Sequence, residues 1–253
     1  MQPNPSTKAP ARHVGTAGWS VPRQMRDAFA DGASILARYA SRFDTVEINS
    51  SFYRPHRRQT YERWAGSVPE AFTFAVKAPR QVTHNRRLVD TTNLLAAFRR
   101  EVDGLGGKLG PILIQLPPSL VFDDQVVGRF LATWRELFDG LTVCEPRHAS
   151  WLSDTATRRL AEARVERVIA DPPLGAASAE ISGSGDCAYY RLHGSPEMYA
   201  SAYGIDRLGP LAKCLAQSAL TRPTWCIFDN TKFGAATTDA LILRRRLDGA
   251  GFS

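Results

Sequence analysis

The chain has 253 residues, of which 43% are hydrophobic and 23% charged, a balance that excludes a disordered chain and supplies one large core. Its net charge of +7 favours anionic partners, phosphates or nucleic acid. No run approaches the roughly 18 apolar residues of a membrane span, so no membrane partner is expected and a cytoplasmic location is.

Residues 1–12, MQPNPSTKAPAR, are polar and proline-rich. They read as a flexible tail ahead of one domain at 13–253, and they lack the apolar stretch of a secretory signal. The first predicted strand, 13–16, runs into Gly18 and Trp19. Residues 33–43 then set Ile35, Leu36, Tyr39 and Phe43 at helical spacing. The second strand, 45–48, carries Glu47 and is followed by Asn49, Phe52, Tyr53 and Arg54. The third, 72–76, ends in Lys77, with Arg80 and His84 beyond it, and a helix over 91–102 puts Leu94, Leu95 and Phe98 on one face. The fourth, 111–116, contains Gln115 and leads to a helix over 126–138. The fifth, 141–144, ends in Glu145, Arg147, His148 and Trp151, and Ser153 caps a helix to 163. The sixth, 166–170, ends in Asp171; the seventh, 188–192, carries Arg191 and is followed by His193. The eighth, 225–228, ends in Asp229, Asn230 and Thr231, and a helix over 238–247 follows.

Strands that are nearly continuous in apolar character suit a parallel sheet covered on both faces. Strand and helix alternating about eight times in about 250 residues predict an α/β fold, a single (β/α)₈ TIM-type barrel. A doubly wound sheet is the runner-up, but Gly15–Thr–Ala–Gly18 is too short for its phosphate loop. Cys144, Cys187, Cys214 and Cys226 form no C-x-x-C pair, which disfavours structural zinc. Cys144 and Cys226 read as buried free thiols.

In such a barrel the functional groups stand at the C-terminal ends of the strands, and here almost every strand ends in polar residues. The acids Glu47, Glu145, Asp171 and Asp229 face the cations Lys77, Arg147 and Arg191 in a charge-balanced ring. Charges are costly to bury unless paired or bound to something, so the ring is a structural network or an active site.

These strand ends carry a family resemblance. VGTAGWS (14–20), FDTVEINSSFY (43–53), FAVKAPRQVTH (74–84), GPILIQLPPS (110–119), EPRHASW (145–151), ADPP (170–173), YRLHGS (190–195) and FDNT (228–231) occur in this order. The sequence resembles the YecE-like family, a group catalogued as a domain of unknown function, from about Val14 to Ala240. The resemblance implies a TIM barrel. It assigns no reaction, although a likeness to apurinic endonuclease-like barrels suggests DNA binding or phosphodiester chemistry. Two departures stand out: Asp229 replaces the usual Asn at the eighth strand, and the segment from Tyr203 to Pro223 is short.

Three readings follow. In the first, an enzyme or binder takes a phosphate-bearing small molecule or nucleic acid at the mouth. Lys77, Arg147 and Arg191 would bind oxyanions, His193 or Glu145, with Glu47, would serve as acid and base, and Tyr53, Trp19 and Trp151 would stack on a base or sugar. Asn49, His84, Gln115, Asp171, Asp229 and Asn230 complete the expected ligand contacts. No cofactor is implied. The second reading adds a divalent metal and makes the protein a hydrolase, with ligands from His84, His148, His193 and the strand-end acids, but no metal motif is present. The third is a non-enzymatic module using Arg57–Arg58, Arg86–Arg87, Arg99–Arg100 and Arg244–Arg246 to hold nucleic acid or a partner. Nothing in the sequence sets an oligomeric state.

Overall fold

A computed structural model describes residues 11–175 and 185–249. Most of the expected tail, residues 1–10, lies outside the described residues, and Arg12 already opens the first strand. Among the described residues nine parallel strand segments are present: β1 (Arg12–Thr16), β2 (Thr45–Ile48), β3 (Thr73–Lys77), β4 (Leu109–Gln115), β5 (Thr142–Glu145), β6 (Val165–Arg167), β7 (Ile169–Asp171), β8 (Ala188–Leu192) and β9 (Thr224–Phe228). They form two hydrogen-bonded runs, β2-β3-β4-β5-β6 and β1-β9-β8-β7.

Two seams join the runs into a closed barrel. At the first, a lone parallel bridge pairs Ala17 with Glu47, and the Gly18 amide donates to the Glu47 carbonyl at 2.8 Å. At the second, Val168 separates β6 from β7, and its amide still donates to the Cys144 carbonyl at 2.9 Å. The chain thereby leaves β5 and joins β8 within one stave. The predicted sixth strand is therefore one stave in two pieces, and the eight-stave reading of the sequence is the fold.

The helices stand outside. They are α1 (Ile35–Tyr39), α2 (Ser50–Tyr53), α3 (Arg58–Gly66), α4 (Thr92–Val102), α5 (Asp124–Leu137), α6 (Asp154–Glu162), α7 (Gly204–Ser218) and α8 (Ala235–Gly249). Ser153 caps α6 as expected, accepting from the Ala156 amide at 3.3 Å. Neither α3 nor α7 was legible in the sequence. The first buries little besides Tyr61, so it shows no apolar stripe, and the second carries Pro210 inside it, which local propensity opposes.

Side chains alternate across each stave. Phe74, Val76, Ile112, Ile114, Cys144, Tyr190, Cys226 and Phe228 point outward into the core shared with the helices. Ala75, Leu113, Val143, Val168, Tyr189, Trp225 and Ile227 pack together inside the barrel. The same parity turns the next inward positions toward the C-terminal mouth: Glu47, Lys77, Gln115, Glu145, Arg191, His193 and Asp229. The lumen is thus apolar below and charged above, and that boundary places the site.

Candidate functional site

Arg191 is the centre of the charged layer. It is fully buried, with Nη2 2.8 Å from Glu47 Oε1, Nη1 3.0 Å from Glu145 Oε2 and Nη2 3.0 Å from Asp229 Oδ2. Its Nε also donates to Glu47 Oε2 at 3.1 Å, and the Tyr189 hydroxyl donates to the same oxygen at 2.8 Å. Burial opposes the guanidinium charge, but Glu47, Asp229 and Glu145 outweigh it and raise its pKa further above its ordinary value. Glu47 and Tyr189 therefore fix Arg191 from below, joining β2 to β8 across the lumen.

His193 continues the layer. Its Nδ1 lies 2.9 Å from Asp229 Oδ2 and its Nε2 lies 2.7 Å from Glu145 Oε1. Burial favours the neutral ring, but the hydrogen bonds to Asp229 and Glu145 prevail and raise the His193 pKa. Burial would likewise raise the Glu145 carboxyl; Arg191 first, then His193 and Arg147, hold it well below the ordinary value. Asp229 is lowered for the same reason, with Arg191 and His193 outweighing its burial.

Arg147 closes a triangle. Its Nη2 is 2.6 Å from Glu145 Oε1 and 2.8 Å from His193 Nε2. With its Nε2 protonated, His193 donates to the Glu145 oxygen that Arg147 also reaches; with its Nε2 bare, the lone pair accepts from Arg147 instead.

Lys77 differs from its neighbours. It stands at the end of β3, only 7% exposed, with Nζ 4.2 Å from the centre of the Phe52 ring. It makes no ion pair or side-chain hydrogen bond with another described residue. Burial and then the nearby Arg191 lower its pKa to about 8, against the opposing pull of Glu47, Asp229 and Glu145. His84 packs edge-on to the same Phe52 ring at 4.9 Å. Burial and the charges of Lys77 and Arg80 lower its pKa.

The structure brings Glu47, Lys77, Glu145, Arg147, Arg191, His193 and Asp229 together, and distributes the other expected residues differently. Glu47, Glu145 and His193, expected as acid and base, are buried beneath the mouth, with their side chains engaged by Arg191, Arg147 and Asp229. Trp151, expected to stack on a base or sugar, is corrected: it is buried, its indole N–H donating to the Leu120 carbonyl at 2.9 Å, and offers no free face for stacking. Asn230 is fully buried and donates to Ser201 O and Asp239 Oδ2 at 2.9 and 2.8 Å, which makes it a brace for the loop after β8. Asp171 is drawn outward by Arg207 at 3.2 Å.

Trp19 sits half-buried, edge-on to Trp64 at 5.1 Å, whereas Tyr53 is 75% exposed. Gln115 lies at the end of β4 in register with Glu145. Asn49 leads into α2 with a buried Oδ1 that has no hydrogen-bond partner among the described residues. His148 accepts from the Ser150 amide at 3.2 Å, far from any role as a metal ligand beside His193. Three participants escaped the sequence reading. Tyr189 was findable, because it shares its parity with Arg191 and His193 along β8. Tyr199, edge-on to His193 at 5.5 Å, and Met198, against Arg147, come from the loop after β8 and leave no periodic signal.

Comparison with known proteins places these features in a family context. Residues 13–252 match the family described as "Protein of unknown function DUF72". The chain is 25% identical over 177 residues to the UPF0759 protein YunF of Bacillus subtilis, covering 66% of this chain and 63% of that protein. It is 28% identical over 107 residues to the UPF0759 protein YecE of Escherichia coli K12, covering 42% of this chain and 38% of that protein. The matches thus span less than two thirds of these curated relatives. Among solved structures, a DUF72 family protein from Thermotoga maritima superposes with a TM-score of 0.77 at 24% identity, over 94% of this chain and 99% of that chain. One from Enterococcus faecalis gives 0.78 at 20%, over 94% and 95%. A methyltransferase from Methanosarcina mazei gives 0.53 at 9%, over 95% of this chain and 94% of that chain, and shares the fold alone.

Proposed function

The chain belongs to the DUF72 family, and for this member we propose that the mouth of the barrel binds an anionic, phosphate-bearing small molecule, with Lys77 and Arg147 as its contacts. The observation that carries this reading is the state of Lys77: a cation nearly withdrawn from water, facing a charged layer, with no ion-pair partner among the described residues. A largely buried charge without a protein partner is costly, and the Lys77 amine, which still reaches the surface at the mouth, is open to an incoming oxyanion. The charge balance supports it. Three carboxylates, Glu47, Glu145 and Asp229, meet the cations Lys77, Arg147 and Arg191 and the ring of His193, whose raised pKa favours its charged form, and the second ring proton of His193 adds a positive charge for an anion to meet. Arg147 also keeps an Nε–H without an acceptor among the described residues.

Glu47, Arg191, Glu145 and His193 act from below, as a rigid charged foundation that orients Arg147 and Asp229. His193, with its raised pKa and its two alternative arrangements with Arg147, gives the foundation a proton that an arriving anion holds in place and a departing one releases.

The metal-hydrolase reading has less support. Among the described residues no three His, Cys, Asp or Glu side chains gather as a metal requires, and the oxygens of Glu145 and Asp229 are already held by Arg191, Arg147 and His193. The nucleic-acid module is also less favoured, because several of its arginines have internal partners: Arg58 with Glu62, Arg87 with Ser119, Arg99 with Asp103 and Arg244 with Asp44.

The test is thermal unfolding in the presence of inorganic phosphate, sugar phosphates and nucleotides, since a ligand that binds the folded state raises Tm by mass action. We expect a rise with one of these that is lost in Lys77→Ala and weakened in Arg147→Ala. Equal shifts in wild type and Lys77→Ala would remove Lys77 from the site and the reading with it.

A further inference from the structure

We propose that Lys77 is a carbonyl-reactive lysine, and that the ligand of the mouth is an aldehyde or ketone carrying the anionic group, held as a Schiff base. This rests on the anion-binding reading above and names the reacting part of the same ligand.

The geometry separates Lys77 from the other lysines of the chain. Lys108 donates to Ala65 O and Val68 O at 2.8 and 2.9 Å. Lys232 pairs with Glu197 at 3.6 Å, and Lys213 is exposed on α7. Lys8 lies outside the described residues. Lys77 alone of the described lysines combines near-complete burial with an amine that has no hydrogen bond or ion pair to another described residue. Its stem runs along the inward face of β3, and the Phe52 ring forms an apolar floor under Nζ. Lysine becomes a nucleophile when desolvated or when set beside another cation, and both conditions hold here, through burial and through Arg191.

The step balances without any further reactant. The neutral Nζ adds its lone pair to the carbonyl carbon, forming the C–N bond, and the carbonyl oxygen takes up a proton. The carbinolamine then loses water as the C–O bond breaks, leaving a protonated imine. Starting from the ammonium form and the carbonyl compound, the products are the iminium and one water. The positive charge therefore stays on Nζ, where Glu47, Asp229 and Glu145 already act on it electrostatically. The ligand's phosphate faces Arg147 at the rim.

The experiment uses the full chain and glycolaldehyde phosphate, a small aldehyde bearing a phosphate, with cyanoborohydride to reduce any imine, followed by peptide mapping. A lysine with a pKa near 8 has roughly 300 times the neutral fraction of an ordinary lysine at pH 7. We expect the Lys77 peptide to be labelled at least about 10-fold faster than those of Lys213 and Lys232, and inorganic phosphate to slow that labelling. Lys77→Arg keeps the charge and removes the nucleophile: it should retain a phosphate-induced rise in Tm and lose the fast label, its melt itself reporting that it is folded. Label confined to the exposed lysines while phosphate still raises Tm would overturn the imine and leave the anion site standing. No label at Lys77 and no rise in wild-type Tm with inorganic phosphate, sugar phosphates or nucleotides would overturn both.

Discussion

At the scale of single residues, the site is a contrast between cations that are paired and one that is not. Arg191 is held by three carboxylates. Lys77 has its charge disfavoured by burial and by Arg191, and its folded pKa of about 8 lies below the ordinary 10.5. The sign follows: a base whose pKa falls on folding costs stability in full below its folded pKa, and the cost fades as the pH rises from about 8 through 10.5. Lys77→Met should therefore stabilise the protein at pH 7 by about 2–3 kcal/mol, measured as a shift in the urea midpoint, with the gain vanishing above pH 10.5. A functional residue retained against stability behaves in this way; a destabilised Lys77→Met would mean that the amine has a structural partner. His193 carries the opposite sign. Its folded pKa is raised, so its contribution is complete below the ordinary value of 6.5 and is lost as the pH rises through the raised one. The advantage of wild type over His193→Asn should be greatest below the ordinary value of 6.5 and shrink as the pH rises through the raised folded value, read by denaturant unfolding across that range. On the acid side, the lowered carboxyls of Glu145 and Asp229 contribute above their unfolded values and lose that contribution as the pH falls.

At the scale of elements, the barrel depends on its two seams. The first brings β1 and β2 so close that a Cβ on Gly15 would lie 2.1 Å from the Thr45 carbonyl oxygen. That oxygen belongs to the backbone, so neither strand can yield without opening the seam. Gly15→Ala is expected to cost about 3 kcal/mol, read as a lowered Tm, and to loosen Glu47, whose backbone holds Gly18 at that seam. An unchanged Tm would show that the staves can separate there without loss. The second seam explains why the sixth strand read as one run in the sequence and is two in the fold. Val165, Val168, Ile169 and Ala170 carry the run past the break, but one stave must pair with β5 on one side and β8 on the other. Composition carries no mark of that change of partner. The cap at Ser153 was legible because a hydroxyl at a helix start has one local job; α7 was not, because tertiary packing of Leu208, Ala212 and Leu215 overrides the proline within it.

At the scale of the whole molecule, the charged layer ties together β2, β5, β8 and β9, whose residues are far apart in the chain. Removing one partner from such a buried network leaves an uncompensated charge and costs about 3–5 kcal/mol. Glu47→Gln should lose that much in chemical denaturation, even though no ligand can reach Glu47. A loss below about 1 kcal/mol would mean that water or a side-chain shift satisfies Arg191. The sequence by itself determined the barrel, because strand-length apolar runs alternating with amphipathic helices admit few other arrangements. It also determined which end of each strand carries the polar groups. What only the tertiary structure decided is which of those groups lie deep in the lumen and which stand near the mouth. Depth in a closed barrel is set by stagger between neighbouring staves and by the loops that cover the mouth, and neither leaves a trace in local spacing. Glu47, Glu145 and His193 are therefore as prominent in the sequence as Lys77, yet the fold seals them beneath the one buried cation that has no protein partner among the described residues.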